Sequence, residues 1–398
     1  MEKNQNSKFK NEKFFGRQKE VSLVWEYIEE GCSLKLAAPR RIGKTFLAKE
    51  ILRNAQEKGW SAIYINIEGC KTEPAFIDKF ISELKEEKWY HKLVKSLDNI
   101  KVSLSIITKM GRIEAELEWK RQKANIYREL EKVLVHSKNT IIVLDELTVF
   151  LGYLIKTEKD ENGNIIKNLE DVKFFLHWLR SLRETPGSKI RWIFCSSISI
   201  DSFIAKHELT GTLNNVEPFK IGELCDNEAV GFVKKLAKSK KLSFSDELTE
   251  YLLDKLTWKI PYYIKILFDN AYELYIVDKL EINDNLINKA YQRAIQTPSY
   301  FNHWIERLKD YGEDKNYAEI ILNKLAEAKN GKKENHLFSL IYNEKETDLE
   351  KKFKQLGKRL EDEGYIIMDN GIWAFRSPFL RDFWAEETKT IKVSKNTK

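Results

Sequence analysis

The stretch Ala38-Pro39-Arg40-Arg41-Ile42-Gly43-Lys44-Thr45 constrains this chain more than any other. Its last three residues complete the pattern Gly, four residues, Gly-Lys-Ser/Thr, with Ala38 where the first glycine usually stands. Gly43 lets backbone pass close to phosphate oxygens. Lys44 brings a charge for the β- and γ-phosphates, and Thr45 a hydroxyl for a divalent cation. The flanks agree. Ser33-Leu34-Lys35-Leu36-Ala37-Ala38 reads as a short buried strand, and Phe46 to Leu52 carries apolar residues at helical spacing. Strand, loop and helix in that order turn backbone N–H groups and a helix N-terminus toward one anion.

A second element answers the first. Ile141-Ile142-Val143-Leu144 is a run of branched aliphatics, as a strand buried on both faces requires. Asp145 and Glu146 follow where that strand emerges, the end at which open α/β sheets place ligands. Asp145 is the candidate metal-side carboxylate and Glu146 the candidate general base. Residues 60–67 and 190–195 read as further strands, and residues 73–87, 124–136 and 169–183 as helices between them. The alternation predicts a parallel sheet with helices on both faces, an α/β P-loop NTPase domain over about 14–221.

On these residues the chain resembles the AAA+ ATPases of the archaeal and bacterial predicted-ATPase group, relatives of the STAND and origin-recognition ATPases. The resemblance rests on Phe15-Gly16-Arg17 with Glu20, on Pro39 to Thr45, on Asp145-Glu146, on Phe194-Cys195-Ser196-Ser197 and on Pro261-Tyr262-Tyr263, and covers about 12–385. It implies a nucleotide held by Phe15, Gly16, Arg17, Pro39, Arg40, Arg41, Ile42, Gly43, Lys44, Thr45, Phe46 and Pro261. It implies Mg²⁺ held by Thr45 and Asp145, turnover by Glu146 and Lys44, and Ser196 sensing the γ-phosphate. ATP is then the substrate, and the chain a nucleotide-dependent switch.

Other segments set the expected layout. Strict alternation over residues 100–106 and 112–118, around Gly111, predicts a β-hairpin inserted at about 100–118, decorative or a contact surface. Residues 157–164 read as a polar loop. From 222 the pattern turns helical, as an all-α lid to about 312, with Asp226 and Ser245 as candidate N-caps. Residues 313–385 read as a winged-helix domain: three helices, then a hairpin with its turn at Asn370-Gly371. Residues 1–13 and 386–398 read as mobile basic tails.

Charge tempers the idea of a nucleic-acid partner. The formal charge is +7, and residues 1–13 and 385–398 each hold four lysines and two glutamates, so +4 of it lies at the ends. Residues 346–363 carry five basic and six acidic side chains, which is no footprint for phosphate. Three outputs stay open: coupling to double-stranded DNA through the winged helix, ATP-driven self-association or action on a separate effector protein, and a non-hydrolysing scaffold. Arg180 or Arg183 could reach a neighbouring subunit as an arginine finger, although such arginines are more often solvated helix-face residues. The four cysteines form no Cys-x-x-Cys pair, and the six histidines (His91, His136, His177, His207, His303, His336) show no ligand spacing. No apolar run nears the roughly 20 residues of a membrane span, and the polar start lacks a signal-peptide core. A cytoplasmic protein is expected.

Overall fold

In the computed structural model, residues 14–85, 94–135, 137–159, 165–196, 199–343 and 348–396 are described. Contacts divide them into two units. One holds Phe14, Gln18–Ala37 and Lys44–Ile221; the other holds Phe15–Arg17, Ala38–Gly43 and everything from Gly222.

The first unit runs α1 (Gln18–Glu29), β1 (Ser33–Ala37), α2 (Lys44–Glu57), β2 (Ser61–Asn66), α3 (Glu73–Leu84), α4 (Val94–Lys109), α5 (Arg112–Val135), β3 (Thr140–Asp145), α6 (Leu147–Leu154), β4 (Lys156–Lys159), β5 (Ile165–Asn168), α7 (Glu170–Glu184), β6 (Ile190–Cys195), α8 (Ile200–Lys206) and β7 (Val216–Lys220). Five strands form one parallel sheet in the order β2-β3-β6-β1-β7. β3 is buried at all six positions, as its aliphatic run requires of a central strand. The order sets the C-terminal ends of β3, β6 and β1 side by side, so the acids after β3 and Ser196 after β6 share an edge with the end of β1.

The expected β-hairpin at 100–118 is helical. Leu97, Ile100, Leu104 and Ile107 are buried while Val102 and Ile106 stay exposed, a helical and not an alternating face. The alternation read from residues 100–106 satisfied both periods, and neighbouring apolar residues on the longer face decide for 3.6. The second half of the supposed hairpin opens α5, rich in Glu, Lys, Arg and Ala, all strong helix formers. A buried polar network ties this insertion down. Glu73 on α3, 3% exposed, accepts from Trp119 Nε1 (3.3 Å) and Tyr127 OH (3.0 Å) and pairs with Lys123 (2.7 Å). Lys123 also reaches Asp171 on α7 at 2.8 Å. Burial pushes the Glu73 carboxyl up, and the Lys123 charge opposes it. The polar loop expected at 157–164 is flanked by β4 and β5, which pair antiparallel; residues 160–164 lie outside the described residues, as do residues 1–13, His91, His136 and Ser197.

The second unit runs α9 (Asp226–Ser239), α10 (Asp246–Leu256), α11 (Pro261–Val277), α12 (Asp284–Ile295), α13 (Asn302–Arg307), α14 (Lys315–Ala326), β8 (Lys332–Lys333), α15 (Glu334–Ile341), α16 (Leu349–Asp362), β9 (Ile366–Asp369), β10 (Ile372–Phe375) and α17 (Pro378–Asn396). Ser245 caps α10 by accepting from Leu248 N at 3.1 Å, whereas the cap of α9 is Cys225, one residue before Asp226. β9 and β10 pair across Asn370-Gly371, and β8 adds a third strand in the order β8-β10-β9. Trp373 on β10 stacks flat on Phe353 of α16, centroids 4.6 Å apart, which binds hairpin to helix. The segment from 386, expected as a mobile tail, continues α17 to Asn396. Phe379, Leu380, Phe383 and Trp384 bury the first turns of that helix and nucleate the rest.

Candidate functional site

The chain leaves β1 through Ala38–Gly43, whose tertiary partners lie in the second unit. Ile42 is 1% exposed and anchors the loop, and its carbonyl accepts from Arg17 Nη2 at 2.9 Å. The same guanidinium nitrogen donates to Gly222 O, also at 2.9 Å. Arg17 is itself 2% exposed, and its backbone N–H donates to the Glu228 carboxylate on α9. So Arg17 fastens the loop. Gly43 has φ +106°, open to glycine and strained for any side chain.

Side chains of the loop face other partners. The Arg41 guanidinium lies over the Tyr262 ring, 4.5 Å from its centroid. Pro261 occupies the first turn of α11 beside it. Pro39 packs against Gly364, where a Cβ would fall 2.6 Å from Pro39 Cβ. Phe15 sits against Phe232 (5.5 Å between centroids) with the Lys235 ammonium 4.8 Å above its ring. His303 lies near this loop. Burial, then the charges of Arg41, Arg40 and Arg307, hold its pKa down at about 3, and its Nε2 has no hydrogen-bond partner in the structure. These contacts explain why Phe15–Arg17 and Ala38–Gly43, expected in the α/β domain, group with residues beyond 221.

In the first unit, α2 begins at Lys44, which is 8% exposed. Thr45 Oγ1 donates to Asp145 Oδ2 at 3.0 Å, joining residues 100 positions apart. Tyr64 OH donates to the same oxygen at 2.6 Å. The Glu146 N–H donates to Asp145 Oδ1 at 3.0 Å, so both carboxylate oxygens are held. Asp145 is 4% exposed. Glu146 opens α6 in a left-handed conformation, φ 65° and ψ 40°. Arg17, Arg41 and Glu146 are three of eight non-glycine residues with positive φ among the described residues. Strain of this kind, about 1–3 kcal/mol each, persists where the surroundings over-determine it, often at functional sites.

The other expected residues fall as follows. Ser196 is 3% exposed; its hydroxyl contacts the Thr148 hydroxyl and accepts from Thr148 N at 3.3 Å, so it braces the first turn of α6 just past Glu146. Cys195 lies beside Asp145, Lys44 and Glu146, and burial pushes its thiol up. Phe46 is 52% exposed on the first turn of α2. Arg180 donates to Gly211 O (3.0 Å) and Arg183 to Thr212 O (2.8 Å), so both fasten the segment before β7. Burial lowers the Arg183 pKa to about 10.

Tyr64 and Glu228 escaped the sequence reading, and Tyr262 entered it only as the neighbour of Pro261. A tyrosine inside the apolar strand Ser61–Asn66 was the available signal for the first. Nothing local marks Glu228.

The donors suit a hard cation. Thr45 offers a hydroxyl and Asp145 a carboxylate, oxygen ligands of the kind Mg²⁺ prefers. Among the described residues no group of three or more His, Cys, Asp or Glu could cage a metal.

No protein-family model matches the chain, and no curated protein matches it. Solved structures do. A Walker-type ATPase of Pyrococcus abyssi superposes with a TM-score of 0.61 at 14% identity, covering 93% of this chain and 96% of that one. The ORC2 protein of Aeropyrum pernix, in ADPNP and ADP complexes, gives 0.51 at 12% identity, with 98% of each chain covered. The chain thus shares the P-loop NTPase fold of these neighbours. No helix among the described residues is long and apolar enough to cross a membrane.

Proposed function

We propose that the chain binds Mg-ATP and hydrolyses it, acting as a nucleotide-dependent switch. The observation that carries this reading is the hydrogen bond from Thr45 Oγ1 to Asp145 Oδ2, which brings the end of the loop motif onto the acidic strand end. Bound Mg²⁺ would neutralise charge on the transferring phosphoryl group. Lys44 offsets charge on the β- and γ-phosphates. The backbone N–H groups of Ala38–Gly43 and of the α2 N-terminus receive phosphate oxygens. Glu146 orients water and takes its proton as the oxygen attacks the γ-phosphorus and the bond to ADP breaks. Phosphate and ADP leave. Ser196, bonded to Thr148, keeps the turn carrying Glu146 in place.

Lys44→Ala is expected to lose most ATP affinity, and Glu146→Gln to keep binding while phosphate release falls at least about a hundredfold. Retained affinity in the first variant, or unchanged turnover in the second, would overturn the assignment.

For the output, the order helix, strand, helix, helix, hairpin over Lys315–Phe375 supports a winged helix able to couple the switch to duplex DNA. Its third helix is electrostatically restrained, because Lys354 pairs with Glu350 and Arg359 with Glu363. A second reading, ATP-driven self-association, draws on Val102, Ile106, Ile113 and Leu117 of α4 and α5, each at least half exposed. Phosphate release with and without duplex DNA, beside mass measurement with a non-hydrolysable analogue, separates the two. DNA stimulation that fades with salt supports the first, and an analogue-dependent mass increase without DNA supports the second.

A further inference from the structure

The two faces of β2 differ. Ile63 and Ile65 join the apolar core, while Tyr64 lies on the opposite face of the pleat. The register sets Tyr64 opposite Val143 and Asn66 opposite Asp145, so Asp145 lies two positions along the neighbouring strand on the same face. A phenol is long enough to span that diagonal, and its hydroxyl donates to Asp145 Oδ2 at 2.6 Å. Thr45 Oγ1 donates to this oxygen as well, at 3.0 Å, and Glu146 N–H holds Oδ1. Of these three donors, Thr45 and Glu146 belong to the recognised motifs. Tyr64 does not.

We infer that Tyr64 is a positioning residue for the divalent cation: its hydroxyl helps to fix the Asp145 carboxylate that the ion would meet. This rests on the Mg-ATP reading above. A hydroxyl has one hydrogen and two lone pairs, so Thr45 can donate to Asp145 and still offer its oxygen to a cation. Oδ2 is then held by Thr45 from α2 and by Tyr64 from the neighbouring strand, and without the phenol only Thr45, itself a candidate ligand, holds that oxygen. The Lys49 ammonium lies 5.8 Å from the centroid of the Tyr64 ring. A tyrosine hydroxyl carries its proton at neutral pH and so can donate. Mg²⁺ tolerates little angular error, and outer partners that orient its ligands typically matter 10- to 100-fold in metal affinity.

Tyr64→Phe removes one O–H and keeps the ring. Mg²⁺ is titrated into wild type and variant at fixed non-hydrolysable ATP analogue, with bound analogue read by calorimetry and no turnover needed. The half-saturating Mg²⁺ concentration should rise about 10- to 100-fold in the variant, with analogue affinity in EDTA within about twofold of wild type. Equal Mg²⁺ midpoints would overturn the inference. So would an EDTA affinity that falls by the same factor, since that marks a general structural role. A wild type that binds no analogue, or binds it without regard to Mg²⁺, refutes the Mg-ATP reading itself and the inference with it.

Discussion

Replacing Glu363 by alanine removes a carboxylate that three donors share. Arg307 Nε reaches it at 2.7 Å, Tyr311 OH at 3.0 Å and Arg359 Nε at 3.1 Å. The side chains of Arg307 and Glu363 are each 1% exposed, while that of Arg359 is 13% exposed. The loss is therefore dominated by Arg307, whose guanidinium would stay buried without its carboxylate. Breaking such a pair from one side costs about 3–5 kcal/mol, because the desolvation already incurred is no longer compensated. Burial works to lower the Arg307 pKa and Glu363 holds it above the usual value, the signature of a charge kept by its partner. At a urea slope of about 2–3 kcal/mol/M, the midpoint should drop by about 1–2.5 M. Tryptophan fluorescence is a suitable probe, since Trp304 is fully buried and accepts from Tyr365 OH within the same neighbourhood. Replacing both partners, Arg307→Met with Glu363→Leu, should recover most of the loss, as uncharged groups of similar volume leave nothing unpaired. A loss under about 1 kcal/mol for Glu363→Ala, or a double variant no better than the single one, would refute this reasoning.

Two further outcomes are expected. Gly364→Ala sets a Cβ 2.6 Å from Pro39 Cβ and 3.0 Å from Trp258 Cη2 at φ +90°, so it should destabilise by about 1–3 kcal/mol and weaken ATP-analogue binding through the loop; unchanged analogue affinity by calorimetry would disprove that link. His303 has a folded pKa of about 3, below its unfolded value of about 6.5, so the unfolded chain alone takes up its proton as pH falls through that window. Stability should thus fall below about pH 6.5, and between pH 7 and 5 wild type should lose about 2 kcal/mol more than His303→Asn; equal losses in urea melts at the two pH values would contradict this.

Much of the architecture could be read from the chain because it is written locally. A four-residue aliphatic run gave β3, and the Gly-Lys-Thr after an apolar stretch gave the junction of loop and α2. The Asn370-Gly371 pair gave the last hairpin. What misled was a segment where two periods coincide. Ile100, Val102, Leu104 and Ile106 alternate, yet Leu97 and Ile107 complete a helical face, and only packing against the rest of the unit selects it. The tail from 386 misled for the opposite reason, since its own residues are polar and its helix is inherited from Phe379–Trp384. The support of the loop was invisible, because Arg17, Glu228, Tyr262 and Gly364 come together by tertiary contact. Tyr64 stood between these cases, visible as an oddity in a strand but without a stated purpose until its hydroxyl met Asp145.

The split membership of the loop has a consequence for biosynthesis. Arg17 needs Gly222 and Glu228, Arg41 needs Tyr262, and Pro39 needs Gly364. The last of these partners is made 325 residues after Pro39 (39 to 364). At about 5–20 residues per second, a ribosome takes roughly 15 to 65 s to bridge that interval. Until it ends, the nascent chain carries β1 and α2 with the support of the turn between them incomplete. A transcript truncated anywhere before codon 364 would therefore yield a protein with the whole motif in its sequence and an unfinished cradle.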